Sequence, residues 1–214
     1  MKKLAIFDFD GTLVDSLEDV VVCFNKTLEI HNFPTLTHDE YRERLGGNID
    51  EAVSLILNDN SSPENIEIIK KTYGELYSLS PKNHTFPFAD IQELLKELQE
   101  KGVILAINSN RKNDSLNMYV DRFFSGIDFV AIEGHNPDYP SKPNPHAVNA
   151  IIEKSKVSKD ECVYIGDSIT DIKTAKNAQI DCVLVSWGYG RNDAFESDYP
   201  LDVVDEPSQI LNYF

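Results

Sequence analysis

The sequence predicts an α/β fold, a doubly wound parallel sheet carrying a small α-helical insertion, and three observations lead there. Short apolar runs rich in Val and Ile end at polar residues, amphipathic stretches alternate with them, and one long segment from about Asp15 to Pro87 breaks the alternation. Runs that are nearly continuously apolar suit strands buried on both faces, which is the condition of a parallel sheet covered by helices. At 214 residues, 41% of them apolar, the chain can bury one substantial core and a smaller inserted unit.

The strand-like runs are Leu4 to Phe9, Val103 to Ile107, Phe129 to Ile132, Cys162 to Ile165 and Cys182 to Val185. Between the first two, Asp90 to Lys101 reads as a helix. Ile91, Leu94, Leu95 and Leu98 fall at helical spacing, with Asp90 as N-cap and Gly102 as terminator. Further helices are predicted over Asn113 to Asp121, Pro145 to Ser155, Asp171 to Ala178 and a short stretch near the C-terminus. Within the insertion, Leu17 to Ile30, Asp39 to Leu45, Asp50 to Leu57 and Asn65 to Leu79 are amphipathic and no convincing strand occurs. Pro81, Pro87 and the polar turn between them read as the return hinge.

Charge narrows the partners. With 20 Lys and Arg against 36 Asp and Glu, the formal net charge is −16, which repels nucleic acid and anionic membranes at long range. Any anionic substrate must therefore be attracted locally. Cys23, Cys162 and Cys182 are widely spaced without a Cys-x-x-Cys pair, so buried structural thiols are expected rather than zinc or redox chemistry. The first residues lack an apolar stretch long enough for a signal peptide or membrane span, and a cytoplasmic enzyme is the simplest expectation. No feature of the sequence assigns an oligomeric state.

In open α/β sheets ligands bind beyond the carboxyl ends of the strands. Asp8-Phe9-Asp10-Gly11-Thr12 ends the first run, Ser109-Asn110-Arg111 the second, and Gly166-Asp167-Ser168 the fourth, with Asp171 beyond; Lys142-Pro143-Asn144-Pro145 lies in a loop between them. Period two would put Asp8 and Asp10 on the same side if the pleat continued, while Gly11 permits a sharp turn. Clustered carboxylates raise one another's pKa unless a cation offsets the repulsion, so a hard, oxygen-liganded ion is implied.

These motifs, in this order, resemble the haloacid dehalogenase superfamily. Asp8 to Ser16, Gly166-Asp167-Ser168 and Trp187-Gly188-Tyr189-Gly190 are especially similar to its phosphoglycolate phosphatase-like branch. The resemblance spans essentially the whole chain and implies a Rossmann-like catalytic core over residues 1–14 and 88–214 with a helical cap domain over 15–87. It implies Mg2+-dependent hydrolysis of a small phosphorylated metabolite through a phosphoaspartate. Asp8 would be the nucleophile, which needs a cation beside a phosphate dianion. Asp10 would protonate the leaving group and later deprotonate water. Lys142 would screen the transferring phosphoryl group, and Ser109 would hold its oxygens.

The metal would take the Asp8 and Asp167 carboxylates and the Asp10 carbonyl, with Asp171 as outer support; Asp167 and Asp171 also suit helix capping. Asn110, Arg111 and the cap residue Arg44 are candidates for substrate contact. Arg44, in the Arg44-Leu45-Gly46-Gly47 stretch that resembles a cap loop of relatives, suits a carboxylate or second phosphate, and equally a solvated helix end.

Competing chemistries fare less well. Dehalogenases of this superfamily lack the second aspartate, here Asp10. Sugar phosphomutases often carry a cap-hinge histidine where this chain has Val20, and the Schiff-base lysine of phosphonatases is replaced by Arg44, which stays charged. Pyrophosphate hydrolysis and a non-catalytic phosphate-binding regulatory module remain as alternatives.

Overall fold

A computed structural model describes residues 1–45 and 48–214. The chain forms two compact units, Met1–Val14 with Pro87–Phe214, and Asp15–Phe86. The chain passes between them at two short strands that pair with each other, β2 (Val14–Asp15) and β3 (Phe86–Pro87).

The larger unit is built on β1 (Leu4–Phe7), β4 (Ile104–Lys112), β5 (Phe129–His135), β6 (Cys162–Gly166), β7 (Asp181–Val185) and β8 (Asp202–Val204). They form one sheet in the order β5-β4-β1-β6-β7-β8, every pair parallel. Period-two alternation splits the apolar residues of each strand between two cores. Ala5, Phe7, Leu105, Ile107, Val163 and Ile165 face one side with α5 (Ile91–Glu100) and α6 (Asn113–Phe123). Leu4, Ile6, Ala106, Tyr164, Cys182 and Leu184 face the other, with α7 (His146–Ser155) and α8 (Ile169–Ala178). Burial on both faces explains why these strands read as unbroken apolar runs.

The end of α5 follows its sequence signal, and its start does not. Gly102, at φ 80, receives the turn of a Schellman motif: its N–H donates to Gln99 O at 2.9 Å and that of Val103 to Leu98 O at 3.0 Å. Asp90 is not a side-chain cap. It sits in the left-handed region at φ 61, and its carboxylate accepts no capping hydrogen bond. Strand β8 escaped the sequence reading because only three residues form it, two of them exposed, at the sheet edge.

The smaller unit holds α1 (Leu17–Ile30), α2 (His38–Arg44), α3 (Ile49–Leu57) and α4 (Pro63–Leu79). Thr37 with Glu40 and Asn48 with Glu51 form capping boxes at the starts of α2 and α3. Phe24 of α1 stacks on Tyr73 of α4 with centroids 3.8 Å apart. Buried Asp19 accepts from the Thr85 hydroxyl at 2.7 Å and the His84 N–H at 3.1 Å, which fixes the segment leaving this unit against α1. Among the described residues no helix is long and apolar enough to cross a membrane, and all three cysteines are free and buried.

Candidate active site

Strand register brings the motifs to one edge. Phe7 of β1 pairs with Ile107 of β4 and Ile165 of β6, so Asp8, Ser109 and Asp167 leave the sheet side by side at its carboxyl end. This lies at the topological switch: the chain runs outward through β4 and β5 on one side of β1 and through β6, β7 and β8 on the other. Asp8 keeps its backbone in the sheet, donating to Ile165 O at 2.8 Å. The chain then reverses through Gly11 at φ 88, where the N–H groups of Leu13 and Val14 converge on Phe9 O.

Lys142 is the electrostatic centre. Its Nζ donates to Asp8 Oδ1 at 2.7 Å and to Asp171 Oδ1 at 2.8 Å, with all three side chains buried. Burial opposes the ammonium charge, but Asp171 and Asp8 outweigh it and raise the lysine pKa. Asn110 grips the backbone of Lys142 from both sides, its Oδ1 accepting from the Lys142 N–H at 2.9 Å and its Nδ2 donating to the Lys142 carbonyl at 3.3 Å. The amide expected at the substrate thus holds the lysine loop against β4.

The sequence left Asp171 between helix capping and outer support of a metal, and the structure shows the capping contact. It is the N3 residue of a capping box on α8: Oδ2 accepts from the Ser168 N–H at 3.0 Å and hydroxyl at 2.6 Å, and Oδ1 serves Lys142. Asp167 has one oxygen engaged, Oδ2 accepting the Tyr189 N–H at 2.6 Å. Glycine makes that approach possible, because a Cβ on Gly188 would lie 2.4 Å from Asp167 Cβ.

The acidic trio bears directly on whether a metal fits. Asp8, Asp167 and Asp171 are buried and offer carboxylate oxygens within 4.8 Å of one another. Burial, then the charge of Asp171, pushes Asp167 up to about 7; burial and Asp171 likewise hold Asp8 well above the carboxylate range despite Lys142. Such a set is short of positive charge, and its donors are hard oxygens. It fits a divalent cation of the type that carboxylates and water bind. Both Asp171 oxygens already serve protein donors, whereas Lys142 meets Asp8 at Oδ1 and the Tyr189 N–H meets Asp167 at Oδ2.

Asp10 and Arg111 form a second pair. Arg111 Nε and Nη2 donate to Asp10 Oδ2 and Oδ1 at 2.9 and 2.5 Å, Nη1 donates to Ser115 Oγ at 3.0 Å, and the guanidinium lies 4.9 Å from the Tyr119 ring centroid. Arg111, expected at the substrate, has a side chain only 8% exposed and lies across Asp10. Ser109 is buried and its Oγ accepts the Arg111 N–H at 3.1 Å. Arg44 belongs to the smaller unit, at the end of α2, where its Nη2 is 3.5 Å from Glu40 Oε1. Gly46 and Gly47 of its loop lie outside the described residues.

Sequence reasoning did not single out Tyr164, buried in the middle of β6 with its hydroxyl 3.2 Å from Asn108 O, 3.2 Å from Asn108 Oδ1 and 3.4 Å from Asp171 Oδ1. The available signal was a phenol in an otherwise apolar central strand, which needs a polar partner when buried.

The family model described as haloacid dehalogenase-like hydrolase matches residues 5–185. The chain is 28% identical to the phosphoglycolate phosphatase of Vibrio vulnificus strain CMCP6 over 98% of its length and 95% of the relative's. It is also 28% identical to that of Aquifex aeolicus strain VF5, with the same coverages. Among solved structures, a candidate phosphoglycolate phosphatase of Lactobacillus delbrueckii subsp. bulgaricus superposes with a TM-score of 0.90 at 27% identity, covering 98% of this chain and 97% of that one. CbbY of Rhodobacter sphaeroides in complex with phosphate shares the fold at a TM-score of 0.79 and 21% identity, over 98% and 96% of the two chains.

Proposed function

The chain belongs to the haloacid dehalogenase-like hydrolase family, and on that premise we propose that it is a magnesium-dependent phosphatase of small phosphomonoesters. The observation that carries this reading is the Lys142 ammonium bridging Asp8 and Asp171 beside Asp167 at the carboxyl edge of the sheet. Phosphoglycolate is the first substrate to test, because the curated relatives bear that name at 26–28% identity.

In the proposed reaction Asp8 attacks phosphorus, an O–P bond to the carboxylate forms, and the bond to the leaving alkoxide breaks. Asp10 supplies the proton that the alkoxide takes up. In the second half Asp10 receives a proton from the water that attacks the acyl-phosphate, which frees inorganic phosphate and restores Asp8. Lys142 neutralises part of the charge on both nucleophile and phosphoryl group. Ser109 and nearby backbone N–H groups orient the non-bridging oxygens. A magnesium ion held by Asp8, Asp167 and the Asp10 carbonyl would supply the remaining charge neutralisation when bound. The helical unit then serves as the cap, with Arg44 its candidate for a substrate carboxylate.

The test is phosphate release from p-nitrophenyl phosphate with and without magnesium, followed by a panel of phosphoglycolate, sugar phosphates, nucleoside monophosphates and pyrophosphate. Turnover should require the metal and vanish in Asp8→Asn. Tight phosphate binding without turnover would instead identify a sensor, and an active Asp8→Asn enzyme would overturn the covalent route.

A further inference from the structure

We infer that Tyr164 is a positioning residue, a buried proton donor that steadies Asp171 as Lys142 turns toward the phosphoryl group; the inference rests on the phosphatase reading above. The phenol has one proton and three oxygens within reach: Asn108 O and Oδ1 at 3.2 Å each and Asp171 Oδ1 at 3.4 Å. It can serve Asn108 on β4 or Asp171 on α8 at small cost in motion, because all three oxygens lie within 3.4 Å of one rotatable hydroxyl. Burial and the neighbouring acids keep the group a neutral donor, raising its pKa well above 10 despite Lys142.

The need for a second donor follows from Asp171 itself. Its side chain is fully buried, and Lys142 Nζ is the other donor on Oδ1. Lys142 gives two of its three N–H bonds to Asp8 and Asp171, and drawing the ammonium toward a phosphoryl oxygen with the third stretches the bond to Asp171. As it leans toward the reacting group, Asp171 Oδ1 loses part of its hydrogen bonding in a place where water does not replace it, and a buried carboxylate left short of donors is costly. Rotation of the Tyr164 hydroxyl from Asn108 toward Asp171 covers that loss, and Asn108 parks the proton meanwhile. The same hydroxyl ties the strand end that presents Ser109 to the carboxylate that holds Lys142.

The experiment is a double-mutant cycle of Tyr164→Phe and Asn108→Leu with p-nitrophenyl phosphate at saturating magnesium, with Asp8→Asn alongside. Tyr164→Phe removes one oxygen and keeps the ring. We expect it to lower kcat about tenfold while KM stays within about twofold and the melting temperature moves by only a few degrees. Asn108→Leu should lower kcat less, and the double variant should match Tyr164→Phe alone, since both changes remove one hydrogen-bond system. Wild-type kcat in Tyr164→Phe, or losses that multiply in the double variant, would overturn the assignment. An active Asp8→Asn enzyme would instead overturn the reading beneath it.

Discussion

Replacing Gly188 with Ala tests whether the pocket depends on backbone packing as strictly as its geometry indicates. The added Cβ would meet Gly11 O at 2.2 Å, Asp167 Cβ at 2.4 Å and Asp167 Oδ2 at 2.5 Å. Ordinary carbon contacts begin near about 3.5 Å, so roughly 1 Å of movement must be found. Two of the three obstacles cannot be cleared by changing a rotamer: one is a carbonyl oxygen of the turn after Asp10, the other the first side-chain carbon of a buried aspartate. The relief therefore comes from shifting Asp167 or the Gly11 turn, and overpacking of this kind costs about 1–3 kcal/mol of stability. A misplacement of about 1 Å near reacting groups is worth on the order of 100-fold in rate. The assay is kcat for p-nitrophenyl phosphate across a magnesium titration, with thermal melts. Gly102→Ala is the control: its φ is 80 but nothing lies within 4 Å of the added carbon, so it should lose about 1 kcal/mol of stability and no activity. If Gly188→Ala keeps kcat within about threefold of wild type at every magnesium concentration, the argument from close approach is wrong.

Two further outcomes follow from the electrostatics. Burial and Asp171 raise Asp167 from 3.8 to about 7, so the metal-free folded state keeps a proton that the unfolded chain has lost, and stability should fall as pH rises from about 4 to about 7. Melts over this range should show the fall flattened by magnesium and by Asp167→Asn, and a metal-free melting temperature that rises through the window would refute it. Arg111→Ala releases the bidentate grip on Asp10, so it should slow an alkyl phosphate, whose leaving group needs a proton, by about ten- to a hundredfold and p-nitrophenyl phosphate much less. Equal losses on both substrates would separate Arg111 from the proton transfer proposed for Asp10.

The sheet was legible because parallel strands buried on both faces leave few substitutes for Val, Ile and Leu, and because each run ends where a polar motif begins. Leu4, Ile104, Phe129, Cys162 and the Cys182 region all stand in strands. The helical insertion showed itself through amphipathic spacing. What escaped was set by contacts distant in sequence. Nothing near Asn110 says that its amide will span the backbone of Lys142, 32 residues away, and nothing near Arg111 announces Asp10, 101 residues away. Asp90 looked like a cap because the residue type is right; the backbone took a left-handed turn there, which carries the carboxylate away from the amides it would serve.

The same reasoning separates what the pocket requires from what it leaves to choice. Asp8 and Asp171 touch one ammonium and Asp167 lies beside them, so three buried carboxylates face one positive charge, a surplus of two negative charges. Protons or a cation must make up the difference, since uncompensated buried charge costs more than the local hydrogen bonds return. Protonating Asp8 would blunt the nucleophile proposed above, so a site that uses that carboxylate gains from the cation and loses from the proton. The chain's overall charge of −16 makes the local surplus of acid more demanding still. On the proposed reading the phosphoryl chemistry belongs to the sheet edge, and a change of substrate need alter none of these four side chains.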